Sequence, residues 1–178
     1  MSILSRLFGR QPVQSKSQTF IEINSTFNSF SGTGYNSAAF RAAVDAIARH
    51  TAKLQAHSAD NRFETLLTHA TNAYMSAYDL LYKTAAAYFT HNNAFMLLQR
   101  GEPHLAQNSA EGIAAIYPLN PSSVEFRPGS DGALYLECTF PDGRQIAFPY
   151  TDIIHLRRHF LTNDLTGDSN APLYALLD

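Results

Sequence analysis

From Ser37 onward apolar side chains recur every three or four positions. Phe40, Val44, Ile47 and Leu54 fall on one helical face, with Arg41, Asp45 and Arg49 mostly on the other. Ser37 is a good N-cap, and the spacing predicts a helix from there to about Gln55. Asp60 is placed to cap a shorter helix whose Phe63, Leu66 and Leu67 face a core. Ser76 and Asp79 make an S-x-x-D capping box, in which each end satisfies a backbone N–H of the other. That box opens a third helix to roughly His91, carrying Leu80, Leu81, Ala85, Tyr88 and Phe89.

Around Asn93 the period changes. Ala94–Gln99 and Ile113–Leu119 are compact apolar runs closed by Gly101, Pro103, Pro118 and Pro121. Val124–Arg127 stops at Pro128-Gly129, and Leu134–Phe140 and Arg144–Pro149 flank the turn sequence Pro141-Asp142-Gly143, which predicts a hairpin. Ile153–Phe160 reads as a further strand, and Ser169-Asn170-Ala171-Pro172 as a helix start. Helices first and strands later imply an α+β fold with the helices on a small, mainly antiparallel sheet.

Before Ser37 the pattern is weaker. Residues 11–34 are rich in Ser, Thr, Asn and Gln, with one short strand expected around Thr19–Ile23. Ile3, Leu4, Leu7 and Phe8 fit one stripe of a short helix, read as part of an arm that docks on a neighbour and not on a membrane. The division expected is a flexible arm over 1–34 and one α+β domain over 35–178. That domain is expected to be incomplete at its C-terminal end, because Leu173, Leu176 and Leu177 announce a helix with six residues left after Pro172.

Composition changes this picture little. The chain has 178 residues, 45% hydrophobic and 16% charged, with a formal net charge of -2. A chain of this length can bury about 70% of its unfolded surface. Its charge does not suit a protein that coats nucleic acid, though it is compatible with a surface past which DNA slides. A single cysteine, Cys138, excludes an intramolecular disulfide and suits a reducing compartment.

Candidate chemistry is sparse. His155 and His159 in HLRRH have a spacing that on a helix would let both bind zinc, the basis of an alternative reading as a metal-dependent hydrolase. Leu156 stands where such hydrolases carry Glu, and the surrounding Ile153, Ile154 and Leu156 favour a strand with surface histidines. Gly32-Thr33-Gly34 lacks the Gly-Lys-Ser/Thr ending of a phosphate loop. Cys138 sits in a strand pattern without an activating base in sequence, so a buried thiol is expected. Glu22, Glu64, Glu102, Glu111, Glu125 and Glu137 are scattered, leaving open whether two of them converge. Tyr74, Tyr78, Tyr82 and Tyr88 are accompanied by one basic residue, Lys83, which favours core packing and subunit contact over base stacking. Arg157 and Arg158, on opposite faces of a strand, are expected to pair with acids. No catalytic, cofactor-binding or metal residue is assigned.

Five segments, in order, resemble the N-terminal half of HK97-type phage portal proteins. Met1–Arg10 is similar to the family's short Leu-Phe-Gly-Arg start, and Ser37–Gln55 to its helix of small residues with an Ile-Ala element. Ala85–Arg100 resembles the "GNAY" passage, with Asn92 where the family usually has Gly. Ile116–Phe126 (IYPLNPSSVEF) resembles "Leu-Pro-Leu-Asp-Pro-x-x-Val". Asp152–Leu173 resembles "Asp-Ile-Ile-His-x-Arg … Gly-x-Ser-Pro-Leu", with Asn170 and Ala171 interposed before Pro172. The resemblance implies a structural, non-enzymatic subunit of a ring, usually of twelve, at one vertex of a virion. It further implies DNA packaged and ejected through that ring, docking of terminase, capsid protein and head–tail connector, no cofactor, and assembly in the bacterial cytoplasm. The matched region corresponds to the wing, ahead of the helical stem. A third reading is a stand-alone interaction module from a prophage remnant.

Overall fold

The computed structural model describes residues 27–28, 37–101 and 112–174. The strand expected at Thr19–Ile23, the Gly32–Gly34 turn and the Ile3–Phe8 stripe lie outside them. The described elements are β1 (Phe27–Asn28), α1 (Ala38–Thr51), α2 (Asn61–Thr68), β2 (Ala70–Asn72), β3 (Met75–Ser76), α3 (Ala77–His91), β4 (Asn93–Arg100), β5 (Ile113–Leu119), β6 (Ser123–Pro128), β7 (Leu134–Thr139), β8 (Gln145–Pro149), a 3-10 turn at Tyr150–Asp152, β9 (Ile153–Arg157) and α4 (Ala171–Tyr174). The α+β class read from the sequence is observed, and every strand pair is antiparallel.

The elements divide into two compact units: Pro121–Thr151 with β1, and the described parts of Ser31–Asn120 with Asp152–Asp178. The first unit is a meander ordered β1-β6-β7-β8. Strand alternation sends Val124, Phe126, Leu136, Cys138 and Phe148 to one buried face, and the register stacks Val124 on Cys138 and Phe126 on Leu136. The β7–β8 connection is the hairpin predicted at Pro141-Asp142-Gly143. Gly143 holds φ +80, a left-handed conformation that favours glycine, and Asp142 Oδ1 accepts the Arg144 N–H at 3.1 Å. β1 draws two residues of the expected arm into this sheet, pairing Phe27 with Val124.

The second unit carries a three-stranded sheet ordered β5-β4-β9. Leu66, Leu80, Met96 and Ile116 form its core, flanked by Phe63, Leu67, Leu98, Ile113 and Ile154. The caps sit where the sequence puts them: Ser37 on α1, Asp60 on α2, and the full Ser76–Asp79 box on α3. Thr71 and Asn72 of β2 both donate their side chains to the Ile116 carbonyl, tying the β2–β3 hairpin to β5.

Two expectations are corrected here. The first helix ends at Thr51 and buries Val44, Ala48 and Ala52 against α3, whereas Ile47 and Leu54 are exposed. Small side chains let two helix backbones approach closely, and that seam wins over the larger residues. The last strand stops at Arg157 and not at Phe160, because His159 adopts φ +50, which no strand can continue through.

Candidate functional site

The junction between α3 and β4 is the most elaborate polar centre of the described residues. Asn92 caps α3 in the left-handed conformation (φ 57, ψ 8), turning the chain straight into β4. This accounts for the departure from the family pattern. The position demands positive φ, which glycine adopts freely and asparagine tolerates best among the rest.

Asn93, buried beside it, is used at both ends of its amide. Its Nδ2 donates to the His91 and Gly167 carbonyls, each at 3.1 Å, and its Oδ1 accepts the Gly167 N–H at 2.8 Å. His155 Nε2 lies 3.0 Å from the same Oδ1, so the ring donates from that nitrogen. The His155 ring also stacks on Phe95, its partner across β4 and β9, with centroids 4.2 Å apart. Burial, reinforced by the Arg157 charge, pulls its pKa down to about 4, so the ring is neutral at pH 7. The surface histidine expected at 155 is therefore a half-buried structural one.

Gly167 has no room for a side chain: a Cβ there would run into the Asn92 and Arg158 carbonyls. From Asp168 onward the segment is clasped to the end of α3. Asn92 Nδ2 donates to the Asp168 carbonyl and to Asn170 Oδ1, both at 2.7 Å, and Asn170 Nδ2 donates to the Thr90 carbonyl at 2.8 Å. The two departures from the family pattern, Asn92 and Asn170, thus touch each other. Asn92 Oδ1 is buried without a hydrogen-bond partner, a local penalty of about 1–3 kcal/mol that the donated bonds offset.

Between β9 and this clasp the chain makes a tight loop. The Asp168 carboxylate accepts the Leu161 N–H at 3.1 Å, the Thr162 N–H at 3.3 Å and the Thr162 hydroxyl. The Thr162 hydroxyl, then the two N–H groups and the His159 charge, lower the Asp168 pKa below its usual value. Arg157 lies over the Phe160 ring at 4.7 Å and donates to the Asp164 carbonyl, and Arg158 lies over Phe89 at 5.0 Å and Tyr88 at 5.9 Å. These two arginines engage rings and a carbonyl instead of the acids expected for them. The loop holds Phe160 and Leu161 outward, at 51% and 95% exposure.

The zinc reading loses its geometric premise. Residues four apart share a face only on a helix; here His155 is on a strand and His159 is past its end, with Nε2 beside the Arg158 guanidinium at 2.7 Å. Among the described residues no three of His, Cys, Asp and Glu gather as a metal site would require. Cys138 is fully buried and its thiol is pushed up to about 12 by burial and by Glu137, so it is not a thiolate at neutral pH. Of the scattered acids, Glu125 and Glu137 face each other across β6 and β7. Arg127 bridges them, at 2.8 Å to Glu125 and 3.1 Å to Glu137, which makes an ion-pair ladder and not an acid–base pair.

At the other end of α3 lies a groove of about 460 Å³, lined among others by Leu54, His57, Glu64, Leu67, Tyr78 and Leu81. Of the four tyrosines, Tyr82 donates to Asp45 Oδ1 at 2.7 Å and Tyr88 packs under Arg158, while Tyr74 and Tyr78 are exposed. Hydrophobic periodicity hides Asn93, Gly167 and Asp168; the signal that points to them is the order of the Asn-Ala and Gly-x-Ser elements, far apart in sequence.

The phage portal protein family model matches residues 38–176. No curated protein matches. Solved chains share the fold, three of them from gene transfer agent particles. The virion of a native gene transfer agent particle contains one with 21% identity and a TM-score of 0.62, covering 81% of this chain and 38% of its own length. Another, in the neck of an empty particle computed with C6 symmetry, has 22% identity and a TM-score of 0.59, covering 80% and 39%. The third, in the neck of a native particle computed with C12 symmetry, has 20% identity and a TM-score of 0.60, covering 81% and 38%. The chain therefore spans about two-fifths of the length of these structural relatives.

Proposed function

The chain belongs to the phage portal protein family, and from that premise we propose that it is the wing-like part of a structural ring subunit. In this reading residues 35–178 are the wing and residues 1–34 the arm leading into it. The subunit takes its place at a virion vertex, assembled in the bacterial cytoplasm into a ring of twelve. Double-stranded DNA passes through the ring of the full-length protein, and terminase, capsid protein and head–tail connector dock on it.

One observation carries the structural reading. The residues at the centre of the family resemblance, Asn93, His155 and Gly167, use their hydrogen-bonding groups on one another in a buried clasp. A catalytic centre keeps such groups facing a cleft, whereas a structural one satisfies them internally. Light scattering and negative-stain imaging of the chain at increasing concentration test the ring. A folded chain that closes rings poorly by itself is expected, and a rigid, catalytically active monomer would remove the reading.

A further inference from the structure

The last carbonyls of an α-helix have no donor within the helix. At the C-terminal end of α3, the four from Phe89 to Asn92 all find one outside it. Asn170 Nδ2 donates to the Thr90 carbonyl at 2.8 Å and reaches the Phe89 carbonyl at 3.4 Å. Asn93 Nδ2 donates to the His91 carbonyl at 3.1 Å, and the Arg158 N–H to the Asn92 carbonyl at 3.0 Å. A helix is commonly closed by the next residue or two of its own chain. Here two of the four carbonyls are served by one side chain 80 residues beyond Thr90.

The same Asn170 begins α4. Its carbonyl accepts the Leu173 N–H at 2.9 Å, and Pro172 fixes φ in that first turn. The backbone leading to it is held as firmly. Gly167 is bound through both its N–H and its carbonyl by the Asn93 amide, and the Asp168 N–H donates to the His159 carbonyl at 2.7 Å. Asn92 Nδ2 holds the Asp168 carbonyl and Asn170 Oδ1 together. No linker residue separates this clasp from α4, which starts at Ala171.

We propose that Asn170 is a positioning residue that fixes the direction of α4 against α3, so that the two helices turn as one body. The inference stands on the clasp and is independent of the ring reading. Swinging α4 away would break both donations from Asn170 together and leave the carbonyl of buried Thr90 without a donor. It would also take the Asn170 acceptor from Asn92 Nδ2. A network in which each loss strands another group holds or gives way as a whole. A displacement of α4 is therefore delivered to α3, and through Asn93 to β4, and is not absorbed in between. Asn92 and Asn170, the two residues that meet at this joint, are also the two departures from the family pattern.

The test uses the full chain carrying Tyr74→Cys and Leu173→Cys, both exposed positions, each bearing a nitroxide label. Native Cys138 is fully buried and takes up no label in the folded protein. The 15 residues of α3 between the two sites span about 22 Å, and double electron–electron resonance reads the distribution of label distances. With Asn170 in place the distribution should be narrow, and Asn170→Ala should widen it about twofold. Asn92→Gly, which leaves both donations from Asn170 intact, should keep it narrow. A second pair, Tyr74→Cys with Leu156→Cys on β9, reports the rest of the unit and should stay narrow in Asn170→Ala. A broad distribution for the first pair in the native background would overturn the proposal, because α4 would then have no fixed direction. An unchanged width in Asn170→Ala would overturn it as well, and equal widening in Asn92→Gly would assign the joint to Asn92 instead. If Asn170→Ala widens both pairs, the whole unit has loosened and the idea of a local joint fails.

Discussion

The two units of this chain reach order by different means. In Pro121–Thr151 the backbone ladder and period-2 burial suffice: Val124, Phe126, Leu136, Cys138 and Phe148 fill one face, and ordinary turns connect the strands. In the helical unit a core of Leu66, Leu80, Met96 and Ile116 is joined by a polar clasp built from Asn92, Asn93, His155, Gly167 and Asn170. Apolar burial tolerates exchange of one large side chain for another of similar volume. An amide network does not, because each lost partner strands a buried group. The comparison teaches that a substitution in the meander costs packed volume, whereas one in the helical unit's junction costs hydrogen-bond partners as well.

The largest effect expected in the first unit is from Leu136→Ala, a cavity in a fully buried site, at about 4 kcal/mol. Hydrogen exchange should lose protection in β6, β7 and β8; equal loss across α3 and β4 would show that the two units unfold as one. Asn93→Ala should follow at about 3 kcal/mol, since it leaves the His91 and Gly167 groups unpaired. Its loss of protection should centre on β4, β9 and the Gly167 segment. A loss below about 1 kcal/mol in urea unfolding would reduce the clasp to decoration.

Acid should separate the units next. None of the seven histidines lies in Pro121–Thr151. In the helical unit burial holds His91 and His155 down to about 4, against 6.5 for a free ring. Below pH 6.5 the unfolded chain takes up protons that the folded one refuses, so stability falls as pH drops from about 6.5 toward 4 and levels off beneath. We expect about 1–2 kcal/mol for each ring after allowing for partial exposure. In the meander unit, hydrogen bonds from Ala133 and Tyr135 and from Arg144 hold Asp131 and Asp142 below 3.8, a contribution lost only at lower pH. His155→Gln, which can keep a donor to Asn93, should flatten the urea-midpoint slope between pH 7 and 5 by about half. An unchanged slope would assign the acid sensitivity elsewhere.

The smallest effect distinguishes neighbouring asparagines. Asn92→Gly relieves a positive φ and removes a buried unpaired oxygen while losing two donated bonds, so it should change stability by less than about 1 kcal/mol. A double-mutant cycle with Asn170→Ala should return a coupling of about 1 kcal/mol. Additivity within error would mean that the two departures from the family pattern do not compensate each other.

The sequence by itself determined what depends on near neighbours. Helix starts were legible because Ser37, Asp60 and Ser76 act on N–H groups two or three residues away, and the β7–β8 hairpin because Asp142-Gly143 dictates its own turn. Period-2 alternation also located the strands, and the α+β class followed. Only the tertiary structure decided which of several apolar residues would be buried. Ala48 and Ala52 displaced Ile47 and Leu54 because closeness to α3 mattered more than side-chain size. It also decided that His155 meets Asn93, that Gly167 must be bare and that Asn92 meets Asn170, contacts spanning 62 to 78 residues. Hydrogen bonds over such separations carry no periodic trace in the chain. They exist only once the sheet has brought β9 and β4 side by side.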